Sequence, residues 1–270
     1  MTTYEPDLGL AGSVELLGRI GSRLGERLRQ VRPVPRPPAL IAVGHGSRDP
    51  RAAATLRLLV DRVRELRPGL DVRLAHLGLN APLLDDVLAE GAGEAVLVPL
   101  LLARGHHVEH DLPAAAALAP GTRVAAPLGP HPLLVEALAE RLDEAGWTSG
   151  ADGVVLAAAG SRAPASGADI RALAVLLGER LGGVPVVPAY ASAATPTVPE
   201  ALRALAARGR HRVAVASCFT APGLFATRAA AHAPWIASAP LGPHPALARL
   251  VLHRYDQALS RAPQRELASG

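Results

Sequence analysis

The sequence repeats itself, and this repeat restricts the chain to folds built from two copies of one unit. Residues 126–132 read APLGPHP and recur without change at residues 239–245. The tripeptide Gly-Ser-Arg at residues 46–48 recurs at residues 160–162, again after an apolar run. Two matches in the same order, with nearly the same separation, indicate an internal duplication.

Each copy alternates short apolar strands with helices. The first strand is predicted over residues 40–43, and Asp49 and Pro50 then supply an N-cap and a favourable first residue for a helix that ends near Leu66. Further strands are predicted near residues 72–77, 95–101, 123–126, 154–158, 184–189, 212–217 and 235–238, and further helices near 82–89, after 111 and over 132–145. Strands separated by helices form parallel sheets covered on both faces. We therefore predict an α/β fold of two flavodoxin-like, three-layer (αβα) halves, each with a parallel four-stranded sheet.

Four segments follow from this pattern. Residues 39–148 form the first half, residues 149–260 the second half, and residues 261–270 a tail. Residues 1–38 lie outside the repeat and combine one amphipathic helical stripe with a Pro-rich linker. This extension is predicted either to rest on the body or to be disordered, and the alternative is a helix that binds a partner or a membrane surface.

Composition excludes several classes of function. All basic side chains are arginine, which removes Schiff-base chemistry and a phosphate-loop lysine. Cys218 is the single cysteine, so an intramolecular disulfide and cysteine-based metal sites are excluded. The formal charge is only +4 and the arginines are dispersed, so we expect no nucleic-acid partner, although arginine suits an anionic small molecule. No uncharged apolar segment has the length of a signal peptide or a membrane span, which predicts a cytoplasmic protein without a membrane partner.

His45 directly follows the first predicted strand, in the sequence GHGSR at residues 44–48. Ligands of parallel α/β sheets bind at the carboxyl ends of strands, and the flanking glycines allow a sharp turn that exposes the imidazole. Ser47 and Arg48 stand where the next helix begins, a place suited to holding a carboxylate. A glycine-rich turn with an incidental histidine is the alternative.

Three histidines, His106, His107 and His110, follow the third predicted strand. Neutral imidazole binds iron, cobalt, nickel and zinc, and it accepts protons near neutral pH. The alternative is a solvated loop that happens to be rich in histidine. Because the first and third strands can approach each other in such a sheet, His45 and the histidine cluster are predicted to face one cavity.

These motifs resemble those of the sirohydrochlorin chelatases, a family of class II chelatases. The resemblance rests on the His-Gly-Ser-Arg turn and on a Gly-x-His-x-x-x-Asp-x-Pro segment, which here runs from Gly105 through His107 and Asp111 to Pro113. It covers about residues 39–260, and the duplication matches the long, two-half form of the family. Either motif alone would be weak support, whereas the two motifs and the duplication together are strong support.

The resemblance implies roles for individual residues. His45 and His107 would be the catalytic pair that binds the metal and accepts protons. Residues 102–106 would line the tetrapyrrole site, and Ser47 would lie beside it. The substrate-binding residues are thus Ser47, Arg48, Leu102, Ala103, Arg104, Gly105 and His106, with Arg48 and Arg104 as clamps for the acetate and propionate arms. No cofactor is expected beyond the substrate ion, Fe²⁺ or Co²⁺.

Two departures from the family pattern concern the site. Gly78 stands where the family has a glutamate, so His76, Asn80 or Glu109 would have to supply a polar group, unless the site works without one. His76 itself is expected to be a packed or surface residue. In the second half Ala159 replaces the first histidine, which indicates one active half and one degenerate half.

Because His131 and His244 recur in both halves, a structural role in the turn is expected for them, and Cys218 is expected to be a small packed residue.

The resulting hypothesis is a metal chelatase that acts on sirohydrochlorin in siroheme or cobalamin biosynthesis. A non-catalytic carrier of metal or tetrapyrrole with the same fold is the main alternative. A histidine phosphatase is disfavoured because Gly44 stands where that class has an arginine. The absence of a His-rich tail slightly favours iron over cobalt. The chain is expected to be a monomer or a homodimer, since the duplication can replace a dimer.

Overall fold

The structure is a computed structural model, and it describes residues 37–91 and 93–261. The amphipathic helix predicted near the N-terminus and the residues after 261 lie outside the described residues. The described residues from Pro38 onward form one compact unit.

The first half follows the predicted order of strands and helices. It contains β1 (Ala39–Gly44), α1 (Pro50–Leu66), β2 (Val72–His76), α2 (Leu84–Ala89), β3 (Ala95–Pro99), a π-helical turn (His107–Asp111), α3 (Leu112–Ala117), β4 (Thr122–Val124) and α4 (Pro132–Glu144). All four strands are parallel, in the order β2-β1-β3-β4. Asp49 caps α1 as predicted, because its side chain accepts a hydrogen bond from the backbone N–H of Arg51.

The second half repeats this layout with one strand fewer. It contains β5 (Gly153–Ala158), α5 (Pro164–Arg180), β6 (Val186–Tyr190), α6 (Val198–Ala206), β7 (Val213–Ser217), α7 (Leu224–Ala230) and α8 (Pro245–Ser260). Its parallel sheet has the order β6-β5-β7.

The prediction of a strand near residues 235–238 was wrong. The segment forms one isolated β-bridge, between Val215 and Ala237, and not a strand. The ladder cannot continue past this bridge, since the backbone N–H of Ser217 donates instead to the side-chain oxygen of Ser238. Pro234 precedes the segment and has no N–H to donate. The four-stranded prediction therefore holds for the first sheet, and the second sheet has three strands.

The central strands β1, β3, β5 and β7 are buried on both faces, and each half is a three-layer sandwich. On β1, Ile41 and Val43 pack with α2 and α3 in an outer core, whereas Leu40 and Ala42 belong to the central core. The second half has an equivalent outer core beneath α6 and α7. The central core is shared by both halves and contains residues of both sheets and of α1, α4, α5 and α8.

The last helix of each half packs against the other half. Helix α8 contacts α1 and β3, while α4 contacts α5 and β7, and α4 and α8 also contact each other. Two ion pairs join these helices across the halves, Arg67 with Asp256 and Arg249 with Glu136. The exchange of helices explains why the two halves share one hydrophobic core.

The repeated histidines begin these exchanged helices. The Nδ1 atom of His131 accepts a hydrogen bond from the backbone N–H of Leu133 at the start of α4, and His244 accepts equivalently from Ala246 at the start of α8. Both histidines therefore act as N-caps, which agrees with the structural role expected for them. No helix within the described residues is both long enough and apolar enough to cross a bilayer.

Replacing His131 by asparagine is expected to reduce the loss of stability in acid. Burial, Arg254 and His253 lower the pKa of His131 to about 4, whereas the unfolded value is near 6.5. Between these values the unfolded chain binds more protons than the folded chain, so stability falls as the pH decreases from about 6.5 to about 4. His131→Asn keeps a cap acceptor but removes the titrating ring. Urea unfolding at several pH values should therefore show a smaller decrease for the variant, and parallel curves for both proteins would contradict this explanation.

Candidate functional site

A cavity of about 1320 Å³ lies at the carboxyl ends of the strands and is lined by residues of both halves. All the predicted site residues contribute to its wall: His45, Ser47, Arg48, Leu102, Ala103, Arg104, Gly105, His106 and His107. The structure therefore brings the GHGSR turn, His106 and His107 to one cavity, whereas His110 does not line it. The second half adds Ala158–Ser161 and the segment 218–227 as the opposite wall.

The turn after β1 holds His45 in place by a close backbone approach. Gly46 has a φ angle of +96°, and a Cβ atom at this position would lie 1.9 Å from the carbonyl oxygen of Gly78. Only glycine satisfies both conditions. The backbone N–H of Ser47 donates to Asn80 Oδ1 at 2.7 Å, and Ser47 Oγ accepts from the N–H of Asp49 at 3.1 Å. His45 thus projects from a turn that is fixed on both sides.

His107 begins the π-helical turn and is oriented by a carboxylate one turn later. Its Nδ1 atom lies 2.5 Å from Asp111 Oδ2. Because an ionised carboxylate can only accept, Nδ1 donates and Nε2 keeps its lone pair for another ligand. Asp111 also lies 3.6 Å from Nε2 of His106. Asp111 of the sequence motif therefore has a physical role, which is to set the tautomer of His107.

The rings of His45 and His107 lie together, with centroids 4.6 Å apart and planes inclined at 47°. One ion can bridge this separation, since a metal–nitrogen bond of about 2 Å places the centre of an imidazole about 3 Å from the ion. Partial desolvation of its ring, and then repulsion by His107, lower the pKa of His45. His45 is therefore neutral near pH 7, as a metal ligand must be.

The described residues contain no group of three or more histidine, cysteine, aspartate or glutamate side chains placed to hold an ion. Within the part of the chain that the structure describes, the His45–His107 pair therefore offers two imidazoles to an ion. Structural metal sites are closed by protein ligands, whereas sites that exchange ligands keep positions open. The pair therefore fits an ion that is in transit better than a structural ion.

Arg104 has a partner that the sequence did not reveal. Its Nε and Nη2 atoms donate to the carboxylate of Asp169, with Nη2 at 2.6 Å, and its backbone N–H donates to the same carboxylate. Asp169 lies in α5 with only 6% of its side chain exposed. Arg104 therefore ties the loop before His107 to the second half, and this pairing competes with its predicted role as a substrate clamp. Arg48 is exposed on the cavity wall.

The second half faces the first across the cavity with the same loop geometry. Gly160 has a φ angle of +89° and approaches Ser192 as Gly46 approaches Gly78. Ser161 Oγ lies 3.5 Å from a Cβ position at Gly105, and Ser47 Oγ lies 3.8 Å from the equivalent position at Gly223. This reciprocal packing is what two subunits of a symmetric dimer would show. Ala159 stands where the first half has His45, so the second half forms a wall without that imidazole.

Two other residues agree with expectation from sequence. Cys218 is buried, and burial raises the pKa of its thiol to about 12. It is therefore an inert packed residue. His76 is buried at the end of β2, with 1% of its surface exposed.

Comparison with known proteins assigns the family. The CbiX family model matches the chain twice, over residues 39–145 and over residues 153–258. The chain belongs to the CbiX family. The two matches correspond to the two halves of the internal repeat.

Named relatives include chelatases for two metals. A sirohydrochlorin cobaltochelatase of Methanococcus aeolicus is 32% identical over 28% of this chain and 55% of its own length. A sirohydrochlorin ferrochelatase of Bacillus subtilis is 27% identical over 60% of this chain and 66% of its own length. This CbiX chain thus spans between about half and about two thirds of the length of these relatives.

Solved structures share the fold of this CbiX protein. SirB from Bacillus subtilis with Fe³⁺ superposes with a TM-score of 0.67 and 24% identity, covering 82% of this chain and 95% of SirB. SirB from the same species in complex with cobalt gives a TM-score of 0.64 at 22% identity, covering 82% of this chain and 94% of that one. These similarities establish a chelatase fold for the described residues.

Gly46→Ala is expected to displace His45 and to destabilise the protein. The new Cβ atom clashes with Gly78, and the alanine must also adopt a left-handed backbone conformation that only glycine adopts without strain. The two effects together should lower the free energy of unfolding by about 2 kcal/mol or more. Gly160→Ala is the matched control, because it meets the same clash with Ser192 in the half without His45. Urea unfolding should show similar losses in both variants. Calorimetric titration with Co²⁺ should show weaker binding only in Gly46→Ala, and equal weakening in both would contradict the role of Gly46 in placing His45.

Proposed function

We propose that this protein inserts a divalent ion, Fe²⁺ or Co²⁺, into sirohydrochlorin. The observation that carries the proposal is the His45–His107 pair, whose rings lie 4.6 Å apart on the wall of a large cavity. In this reaction the macrocycle loses two pyrrole N–H protons and forms four bonds to the ion. The names of the two relatives, a ferrochelatase and a cobaltochelatase, support both metals as substrates.

The cavity suits a tetrapyrrole in size and in polarity. Pockets for drug-sized ligands occupy about 300–1,000 Å³, and this cavity of about 1320 Å³ is larger. Leu79 from the first half and Leu224 and Phe225 from the second half are exposed apolar residues on its wall. They offer apolar contact to the faces of a macrocycle, while Arg48 offers a charge to its carboxylate arms.

The two histidines supply the chemistry of insertion. Neutral imidazole binds the ion while the ion sheds water, and it accepts the protons that the pyrrole nitrogens release. His107 keeps its free lone pair at Nε2 because Asp111 accepts from Nδ1. The open positions around the ion allow pyrrole nitrogens to replace water. That no cofactor is needed besides the substrate ion stays a prediction.

A carrier of metal or tetrapyrrole is the second candidate. Gly78 leaves space where a Cβ atom would meet nothing within 4 Å, and the family glutamate expected at this position is absent. A protein that binds but does not turn over would fit this loss. Assays with substrate in large excess separate the two candidates, because a carrier yields at most one product per protein molecule.

The proposed function goes with predictions about the roles of the two halves, the oligomeric state, the location and the partners of the protein. We propose that residues 39–148 form the catalytic half and that residues 149–260 form the opposite wall. The reciprocal packing of the halves supports a monomer, because one chain already contains both sides of the cavity. A homodimer, a cytoplasmic location and the lack of a nucleic-acid or membrane partner stay predictions.

His45→Ala and His107→Ala are expected to lower kcat/KM for metal insertion by about 100-fold or more, since each removes a ligand and a proton acceptor. The measurement is the change in absorbance as Co²⁺ or Fe²⁺ enters sirohydrochlorin under anaerobic conditions. His110→Ala is the matched control, because His110 belongs to the same turn but not to the wall of the cavity. Rates that are unchanged in both His45→Ala and His107→Ala would contradict the proposed function.

A further inference from the structure

The turn after β5 repeats the turn after β1 but lacks two acceptors that the first turn supplies from its own half. In the first half the backbone N–H of Ser47 donates to Asn80 Oδ1, and the carboxylate of Asp49 caps α1. At an offset of 114, the equivalents of Asn80 and Asp49 are Ala194 and Ala163. Alanine side chains cannot accept hydrogen bonds. The second turn therefore offers donors that the first turn has already satisfied.

The donors of the second turn lie at the start of a long helix. The backbone N–H of Ser161, the equivalent of Ser47, has no acceptor among the described residues. Ser161 Oγ accepts from the N–H of Ala163 at 3.1 Å, which is the contact that Ser47 makes in the first half, so the turn keeps its shape. Helix α5 then begins at Pro164 without a side-chain cap. Free N–H groups at the start of a helix attract anions, carboxylates included.

A buried hydroxyl at the same helix start points independently to a polar ligand. Ser166 is only 6% exposed, and its side chain has no hydrogen-bond partner among the residues that the structure describes. Its oxygen is not one of the fully enclosed polar atoms, and the residue lines the cavity, so a ligand in the cavity can reach it. The equivalent residue of the first half, Ala52, is buried to the same extent. Packing therefore does not require a hydroxyl at this position.

The surroundings of the second turn accept a negative charge. Asp169, the first carboxylate of α5, is paired with Arg104. Asp49, the acidic residue on the described wall of the cavity, is paired with Arg51. Ala159 is exposed on the wall where the first half has His45, and its small side chain leaves space beside the turn. An incoming carboxylate therefore meets donors without an unpaired negative charge beside them.

We propose that Ser161 and Ser166 form a subsite that binds one carboxylate arm of the tetrapyrrole. The backbone N–H of Ser161 and the hydroxyl of Ser166 donate to the carboxylate oxygens, and the start of α5 adds a partial positive charge. The first half indicates the preferred occupant, because a carboxylate, that of Asp49, fills the equivalent place there. The identity of the ligand rests on the proposed function. The half without His45 would thus contact the substrate directly, in addition to enclosing the cavity.

Two substitutions that copy the first half test the subsite, by anaerobic titration of each purified protein with metal-free sirohydrochlorin, followed by absorbance. Ser166→Ala introduces the residue found at Ala52 and should weaken binding about fivefold, since one hydrogen bond to a carboxylate is lost.

Ala163→Asp supplies an internal carboxylate and should weaken binding about tenfold or more, because it occupies the subsite and repels the substrate arm. The backbone already suits it, since φ and ψ are −69° and 123° at Ala163 and −78° and 116° at Asp49. The midpoint of thermal unfolding should rise in this variant, because the new side chain caps α5. Higher stability with weaker binding is a combination that a general loss of structure cannot produce.

Ser192→Ala is the matched control. It removes a hydroxyl from the same wall, but this hydroxyl donates to the carbonyl of Ala159, so the affinity for sirohydrochlorin should stay unchanged. Calorimetric titration with Co²⁺ alone should give the wild-type affinity in all three variants, because His45 and His107 are untouched.

Wild-type affinity for sirohydrochlorin in both Ser166→Ala and Ala163→Asp would overturn the subsite and leave the proposed function intact. Weaker Co²⁺ binding in either variant would also overturn it, because the substitution would then act through the metal-binding pair. Sirohydrochlorin binding that weakens as expected, in a protein that inserts no metal, would disprove the proposed function and not the subsite. A wild-type protein that does not bind sirohydrochlorin would disprove both.

Discussion

The parallel pairing of β1 with β3 is the constraint on which the site depends. The two strands are adjacent, with Val43 opposite Pro99, so the segments that follow them leave the sheet at the same edge. One segment bears His45 and the other bears His107, although the two residues are far apart in the chain. Gly46 and Asp111 then fix the two imidazoles locally, through a close backbone approach and a hydrogen bond. The site thus combines one feature of topology with two short-range contacts.

Duplication provides the other side of the cavity. The second half has the same turn at Gly160 and the same approach of that turn to the opposite half, but it lacks the first imidazole. Exchange of α4 and α8 gives both halves one core, so the second half cannot separate from the half that carries His45 and His107 without exposing that core. The pairing of Arg104 with Asp169 extends this link to the loop before His107. The second half thus supports and encloses the cavity although it lacks an equivalent of His45.

Local signals predicted much of this arrangement, and long-range contacts account for what they missed. The N-cap at Asp49, the strand tips and the convergence of His45 and His107 follow from spacing and from the geometry of parallel sheets. The partner of Arg104 could not be predicted, since Asp169 lies in a helix without any motif. The exchange of α4 and α8 could not be predicted either, because the hydrophobic pattern of an amphipathic helix is the same whichever sheet the helix covers. The absence of a strand near Ala237 could not be predicted either, because it depends on one long-range contact. This contact is the hydrogen bond from the backbone N–H of Ser217 to the side chain of Ser238.

The central claim is that His45 and His107 bind the same ion. It is tested most directly by diffraction at the cobalt absorption edge from crystals of the protein with Co²⁺. We expect one anomalous peak in the cavity, about 2.1 Å from a ring nitrogen of each histidine, with its other ligands drawn from water. A peak bonded to only one of these rings, or a peak elsewhere in the molecule and none between them, would contradict the claim.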